Sequence, residues 1–114
     1  MVRDDRSRTE IPPGTLYMLI LTTLARRGPL HGYGIAKHIE ETSDDVLRVE
    51  EGSLYPALQR MVIKGWVTAE WTRTAGNRRA RVYRLTAAGR KQLGLEVSEF
   101  DRAVQAITRV IQPA

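Results

Sequence analysis

The sequence predicts a mainly α protein with a small β-hairpin, an α+β fold in which three short helices, a hairpin and one long C-terminal helix follow in that order. Three observations carry this. Apolar residues recur at helical spacing up to about residue 62, alternate between residues 66 and 85, and return at a 4–3 spacing from Leu93 onward.

Each element has its own local reason. Residues 1–12 are expected to form a flexible N-terminal arm, because residues 1–10 alternate charges without apolar periodicity. Pro12-Pro13-Gly14 punctuates the chain, and Thr15 is placed to cap a first helix. Leu16, Leu19, Ile20 and Leu24 line one face of that helix, which stops at Gly28-Pro29. A second helix is expected from about Gly32 to Thr42, with Ile35, Ala36 and Ile39 turned inward. Thr42-Ser43-Asp44-Asp45 breaks it, and Val46, Leu47 and Val49 suit a very short strand. Gly52-Ser53 then opens a third helix with Ser53 as cap and Pro56 in the first turn. Leu54, Leu58, Met61 and Val62 form its buried stripe, and Lys64-Gly65 ends it.

From Trp66 to Thr72 the period changes to two, with Val67, Ala69 and Trp71 on one face. Arg73 to Ala80 reads as a turn around Gly76-Asn77, and Arg81 to Leu85 alternates again, with Val82 and Leu85 set apart from Tyr83. Thr86 to about Gln112 is a helix roughly 40 Å long at 1.5 Å per residue. Its apolar residues Leu93, Val97, Phe100, Val104, Ile107 and Ile111 are spaced 4, 3, 4, 3 and 4, an a/d seam suited to pairing with a second helix.

A chain of 114 residues supports one small domain with a modest core. With no cysteine, it excludes disulfides, cysteine-held zinc, iron–sulfur clusters and a thiol nucleophile. The longest strongly apolar run, Leu16 to Leu21, is far too short for a membrane span, so no membrane partner is expected. Around Arg3, Asp4, Asp5, Arg6 and Arg8 no apolar stretch sits at signal-peptide spacing, so the expected location is cytoplasmic.

Charge is more informative once located. Between Arg60 and Lys91 nine basic residues stand against one acidic residue, Glu70, so +8 of charge sits there and −3 on the remaining 82 residues. A concentrated cationic surface on a near-neutral body suits a polyanion, most simply double-stranded DNA.

Three short helices followed by a hairpin is the order of a winged helix-turn-helix, with residues 13–86 as the DNA-binding domain and 87–114 as a dimerisation helix. The third helix would read the major groove, and the hairpin would be the wing. Away from its apolar stripe that helix presents Tyr55, Gln59, Ile63 and Lys64, with Arg60 nearby. Gln reads adenine in a bidentate manner, and Arg or Lys reads guanine or grips phosphate. The wing offers Arg73, Arg78, Arg79 and Arg81 to the sugar-phosphate backbone or the minor groove.

The stretches Pro29-Leu30-His31-Gly32-Tyr33-Gly34-Ile35 and Glu51-Gly52-Ser53-Leu54-Tyr55-Pro56-Ala57-Leu58 carry a family resemblance. It continues through Gly65-Trp66-Val67 and from Arg78 to Gly89, a stretch that contains Tyr83-Arg84-Leu85-Thr86-Ala87-Ala88-Gly89. Over about residues 14–112 the chain resembles short-subfamily PadR-type bacterial transcriptional regulators, which have a single C-terminal helix. The resemblance implies a homodimeric repressor on a palindromic operator, often with ATGT and ACAT half-sites. It also implies DNA contacts from Tyr33, Ser53, Tyr55, Pro56 and the wing arginines. Lys37 of the second helix is a further DNA-facing candidate. Gln59 and Arg60 lie outside the shared motif and are chosen for base discrimination on geometry alone.

His31 and His38, with Glu40 and Glu41 nearby, match no tight metal-ligand spacing, so no metal or cofactor is expected. Gly32-x-Gly34 eases a tight start to the second helix rather than cradling phosphate. Phe100 and Trp71 raise the question of a small aromatic effector, because some PadR-like dimers hold flat ligands between their C-terminal helices; Phe100 packing on its mate is the plainer reading. A winged-helix protein-interaction adaptor is the alternative function, and a sensor with a cavity at the seam is a third. No paired carboxylates or activated nucleophile point to an enzyme.

Overall fold

The computed structural model describes residues 9–12 and 14–113. Helix α1 (Leu16–Arg27) is the centre of the fold, and α2 (Gly32–Thr42), α3 (Glu51–Ile63) and the first turns of α4 (Ala87–Ile111) are arranged about it. Strands β1 (Thr9–Glu10), β2 (Leu30–His31), β3 (Leu47–Arg48), β4 (Val67–Arg73) and β5 (Arg79–Leu85) form two small sheets. The larger has the order β2-β5-β4 and is antiparallel throughout; in the smaller, β1 runs parallel to β3. This is the α+β winged helix-turn-helix arrangement, with β4 and β5 as the wing.

The core consists of Ile20, Leu21, Leu24, Ile35, Ile39, Leu54, Ala57, Leu58, Met61, Val67 and Tyr83. These come from the inward faces of three helices and the base of the wing, so one apolar cluster orients the wing against α3. Leu93 is the last residue of α4 packed on that cluster. Beyond it the seam residues Val97, Phe100, Val104, Ile107 and Ile111 are exposed in the single chain.

Two glycines fix how the wing leaves α3 and how α4 leaves the wing. At the end of α3 the Trp66 amide donates to the Met61 carbonyl (3.0 Å) and the Gly65 amide to that of Val62 (3.0 Å). This is a Schellman cap whose Gly65 sits at φ +78°, a conformation side chains disfavour. Thr86 caps α4 by accepting from the Gly89 amide at 2.9 Å, and donates its own hydroxyl to the carbonyls of Gly65 (2.7 Å) and Trp66 (3.0 Å). The helix thereby lies so close to β4 that a methyl on Gly89 would fall 2.0 Å from the Trp66 carbonyl oxygen.

Several expectations need correction. Thr9 and Glu10 are in β1, paired with Leu47 and Arg48, so these two residues are not part of a free arm; residues 1–8 of that arm, and Pro13, lie outside the described residues. The third helix begins at Glu51, with Glu50 at the cap position: the Glu50 carbonyl accepts from the Ser53 amide at 3.0 Å and the Leu54 amide at 2.9 Å, so Ser53 is already inside the helix. Pro56 is therefore the sixth helical residue rather than a first-turn residue, and the Gly52 carbonyl loses its in-helix donor. Thr15 occupies the cap position of α1 but turns its hydroxyl to the Pro12 carbonyl (2.7 Å), making no side-chain cap bond. Leu85 shares the core face with Tyr83, because Tyr83 pairs with Ala69 and Leu85 with Val67.

Candidate nucleic-acid interface

The register of the wing decides which of its side chains face the helices. Val67 pairs with Leu85 and Ala69 with Tyr83, and these reach the core. Two residues further out on the same face, Trp71 pairs with Arg81 and Arg73 with Arg79. The same alternation that builds the core at the base thus places an indole and three guanidiniums at the tip, looking towards α2 and α3. Glu70 and Arg84 occupy the opposite face and form an ion pair at 3.7 Å.

The tip is held by its own bonds. The Thr74 amide donates to the Arg78 carbonyl (2.8 Å), the Asn77 amide to the Thr74 carbonyl (2.9 Å), and the Arg73 guanidinium to the Asn77 side chain (3.1 Å). Arg73 therefore also braces the turn, while Arg78 projects from it. The Arg79 guanidinium lies 4.7 Å and that of Arg81 5.9 Å from the Trp71 ring centre. None of Arg73, Arg78, Arg79 and Arg81 has a carboxylate partner among the described residues.

Across from the wing stand Tyr33 and Tyr55. His31 caps α2 by accepting from the Gly34 amide at 3.0 Å, which sets the first turn and projects Tyr33 outward, two-thirds exposed. The Tyr55 ring lies over Gly32 so closely that an added methyl would meet its Cε1 at 2.7 Å. Gly32 thus makes room for Tyr55, a more specific role than easing the helix start. Lys37, one turn after Tyr33, places its ammonium 5.9 Å from that ring. Tyr33, Tyr55, Trp71, Arg78, Arg79 and Arg81 line one groove, with the Tyr83 ring in its wall. Burial raises the Tyr83 phenol above its ordinary pKa of 10.0, Arg81 opposes this and Tyr55 adds to it, so Tyr83 stays neutral at physiological pH.

The remaining candidates lie elsewhere. Ser53, Pro56 and Arg60 border a different groove, shared with Glu10, Ile11 and Arg48. Arg60 donates from Nε to the Tyr17 hydroxyl at 2.6 Å, and the Lys64 ammonium sits 5.1 Å from the Trp66 ring. Tyr17 and Trp66 pack edge to face at 5.5 Å, so two cations expected on the reading surface are docked on an aromatic pair beside α1. Gln59 is exposed on the outer face of α3. Lys37 shares its flank with Glu40, Glu41, Asp45 and Glu51, so that flank carries more acidic than basic side chains. His38 bonds to Arg27 (3.3 Å) and Thr42 (3.4 Å), and His31 to the backbone, so both imidazoles are engaged within the fold. Among the described residues no group of three or more His, Cys, Asp or Glu could hold a metal ion, and no helix is long and apolar enough to cross a membrane.

Trp71 lies on the hairpin face that the alternation from Trp66 to Thr72 predicts, among the wing arginines, whereas Phe100 lies on α4.

A helical core, a hairpin whose tip arginines have no carboxylate partner among the described residues, and a long helix with an exposed seam define a winged-helix regulator. The match to known proteins gives the family. Residues 20–95 match the transcriptional regulator PadR-like family, and the chain belongs to it. Members of this family are transcription regulators, not enzymes. The chain is 38% identical to the transcriptional regulator Rv3488 of Mycobacterium tuberculosis over 72 residues, 63% of each protein. It spans 23% and 63% of the lengths of the curated relatives it matches at 38% identity or more. Among solved structures, a transcriptional regulator from Clostridium thermocellum superposes with a TM-score of 0.80 at 25% identity, over 87% of this chain and 95% of that one. Bacillus subtilis PadR in complex with operator DNA gives 0.62 at 28% identity, over 70% of this chain and 45% of that one.

Proposed function

We propose that this regulator binds double-stranded DNA as a homodimer on a palindromic operator and represses transcription by occupying it. The observation that carries the reading is the wing tip, where four arginines crowd the turn and the strand ends beside it without a carboxylate partner among the described residues. Like charges at such spacing repel, and an anionic backbone relieves them. The Bacillus subtilis relative bound to operator DNA supports the same partner.

Tyr33, Tyr55 and Arg78, Arg79 and Arg81 grip the backbone, and Gln59 reads a base edge from the outer face of α3. The exposed seam Val97–Phe100–Val104–Ile107–Ile111 pairs with that of a second copy, which sets two reading helices one duplex turn apart. An effector that rotates the paired α4 helices would change that spacing and release the operator.

The test is a fluorescence-anisotropy titration on DNA upstream of the protein's own coding sequence, with competitor DNA and several salt concentrations. Competitor-resistant binding is expected. Its salt slope should fall by about 1.8 in Arg78→Ala/Arg79→Ala, at about 0.9 per lost phosphate contact. Absence of binding at low salt overturns the repressor reading and favours a protein-interaction adaptor.

A further inference from the structure

We propose that Trp71 is a positioning residue of the wing: its indole holds the Arg79 and Arg81 guanidiniums aimed into the groove opposite Tyr55. The inference rests on the DNA reading above and adds the residue that makes the wing a preformed grip.

Trp71 is the largest exposed ring in the hairpin, at 58% of its surface, and is absent from the core that Val67 and Tyr83 complete. Its position has no packing reason of that kind. What it does touch is charge: Arg81 is its directly paired residue across the strands, and Arg79 is the diagonal neighbour towards the tip. A guanidinium over an indole face is attracted by the ring quadrupole and is weakly hydrated enough to stack there. Arg79 also stands directly opposite Arg73, a like-charge pair that pushes both side chains apart. Arg73 is tied to Asn77 and Arg79 to the indole, so neither is left to swing away. On the other face of the same hairpin Arg84 is held by a carboxylate instead, which neutralises it. The indole therefore does for Arg79 and Arg81 what a carboxylate would do for orientation, while leaving their full charge for an anion.

A free arginine gives up rotamer freedom when it grips phosphate, and a stacked one has already done so. The consequence is an affinity contribution that exists only while the arginines are present. Anisotropy titration of a labelled mixed-sequence duplex at low salt reads it, because backbone grip is independent of sequence. Trp71→Leu is expected to weaken binding roughly tenfold, equivalent to about 1.4 kcal/mol. Trp71→Phe keeps a ring and should retain most of the affinity, and it also maintains the test should the leucine variant fold poorly. In an Arg79→Ala/Arg81→Ala background Trp71→Leu should add no further loss. Wild-type affinity in Trp71→Leu, or an equal loss in the arginine-free background, overturns the inference while leaving the DNA reading intact. A wild-type chain that does not bind the duplex overturns that reading and this inference with it.

Discussion

Gly89→Ala places one methyl group where the fold has no room. The added carbon would stand 2.0 Å from the Trp66 carbonyl oxygen, 2.9 Å from its carbon and 2.8 Å from Leu85 Cδ1. The leucine methyl can turn aside, but the carbonyl is backbone and is fixed by the cap of α3 and the start of β4. Relief must come from α4, whose first turn has to lift by more than an ångström. Doing so stretches the bonds from the Thr86 amide (3.1 Å) and hydroxyl (3.0 Å) to that same carbonyl. Overpacking costs about 1–3 kcal/mol, and the two weakened hydrogen bonds about 1 kcal/mol each. Alanine returns about 1 kcal/mol of helix propensity, leaving a net loss of about 2–4 kcal/mol by the sum of these effects. At about 4 °C per kcal/mol for a chain of this size, Tm should fall by roughly 8–16 °C. Differential scanning calorimetry at fixed protein concentration measures it, with Gly94→Ala as the control. Gly94 also lies in α4 but has nothing within 4 Å of an added methyl, so its variant should melt at or above the wild-type temperature. A Gly89→Ala protein melting within two or so degrees of wild type would refute the argument that α4 is seated by this contact.

Other outcomes follow from the same structure. Val97→Asp/Val104→Asp breaks the exposed seam without touching the core, so light scattering should report the 12.9 kDa chain for the variant and twice that for the wild type. Leu93 is avoided there because it packs on the core. The raised pKa of Tyr83 favours the neutral phenol in the folded state, so its contribution is fully present below about pH 10 and is lost as pH rises beyond it. Denaturant melts across pH 9–11.5 should show this loss, and Tyr83→Phe should flatten the profile (about the range where a free phenol titrates). Arg60→Ala removes the bond to Tyr17 and should cost about 1 kcal/mol of stability, with DNA sequence preference unchanged; Gln59→Ala should do the reverse. A binding-site selection on both variants separates the two.

Much of the architecture was legible because its signals are local. Helical periodicity, Gly28-Pro29 and Lys64-Gly65 mark the helices, and the 4–3 spacing from Leu93 marks α4. What escaped is non-local or rests on small margins. Strands β1 and β2 have two residues each, too few for any alternation, and exist only because β3 and β5 lie beside them. The cap of α3 went to Ser53 on residue type, whereas the cap position is the extended Glu50 three residues earlier, whose carbonyl accepts from the Ser53 and Leu54 amides. Leu85 was misfaced by grouping it with Val82, three residues away, whereas the two-residue period of a strand puts it on the face of Tyr83, where it pairs with Val67. Within the site, the wing arginines were visible as a charge cluster, and Tyr33 and Tyr55 as motif residues. The docking of Arg60 on Tyr17 and of Lys64 on Trp66 depends on partners 43 residues away and across the helix end, which no spacing rule conveys. The Trp71 stack was implicit in strand register but needed the turn length to emerge.

In the proposed dimer, paired α4 helices hold two reading helices on one face of a DNA duplex. Selection of bound sequences from a randomised duplex, followed by hydroxyl-radical footprinting on the winner, tests it most directly. The expected result is an inverted repeat with two protected tracts about 34 Å apart, one helical turn, and protection at flanking positions that Arg78→Ala/Arg79→Ala weakens. Enrichment of a single unpaired half-site would contradict the dimeric arrangement, and no enrichment over the starting pool would contradict sequence-specific binding itself.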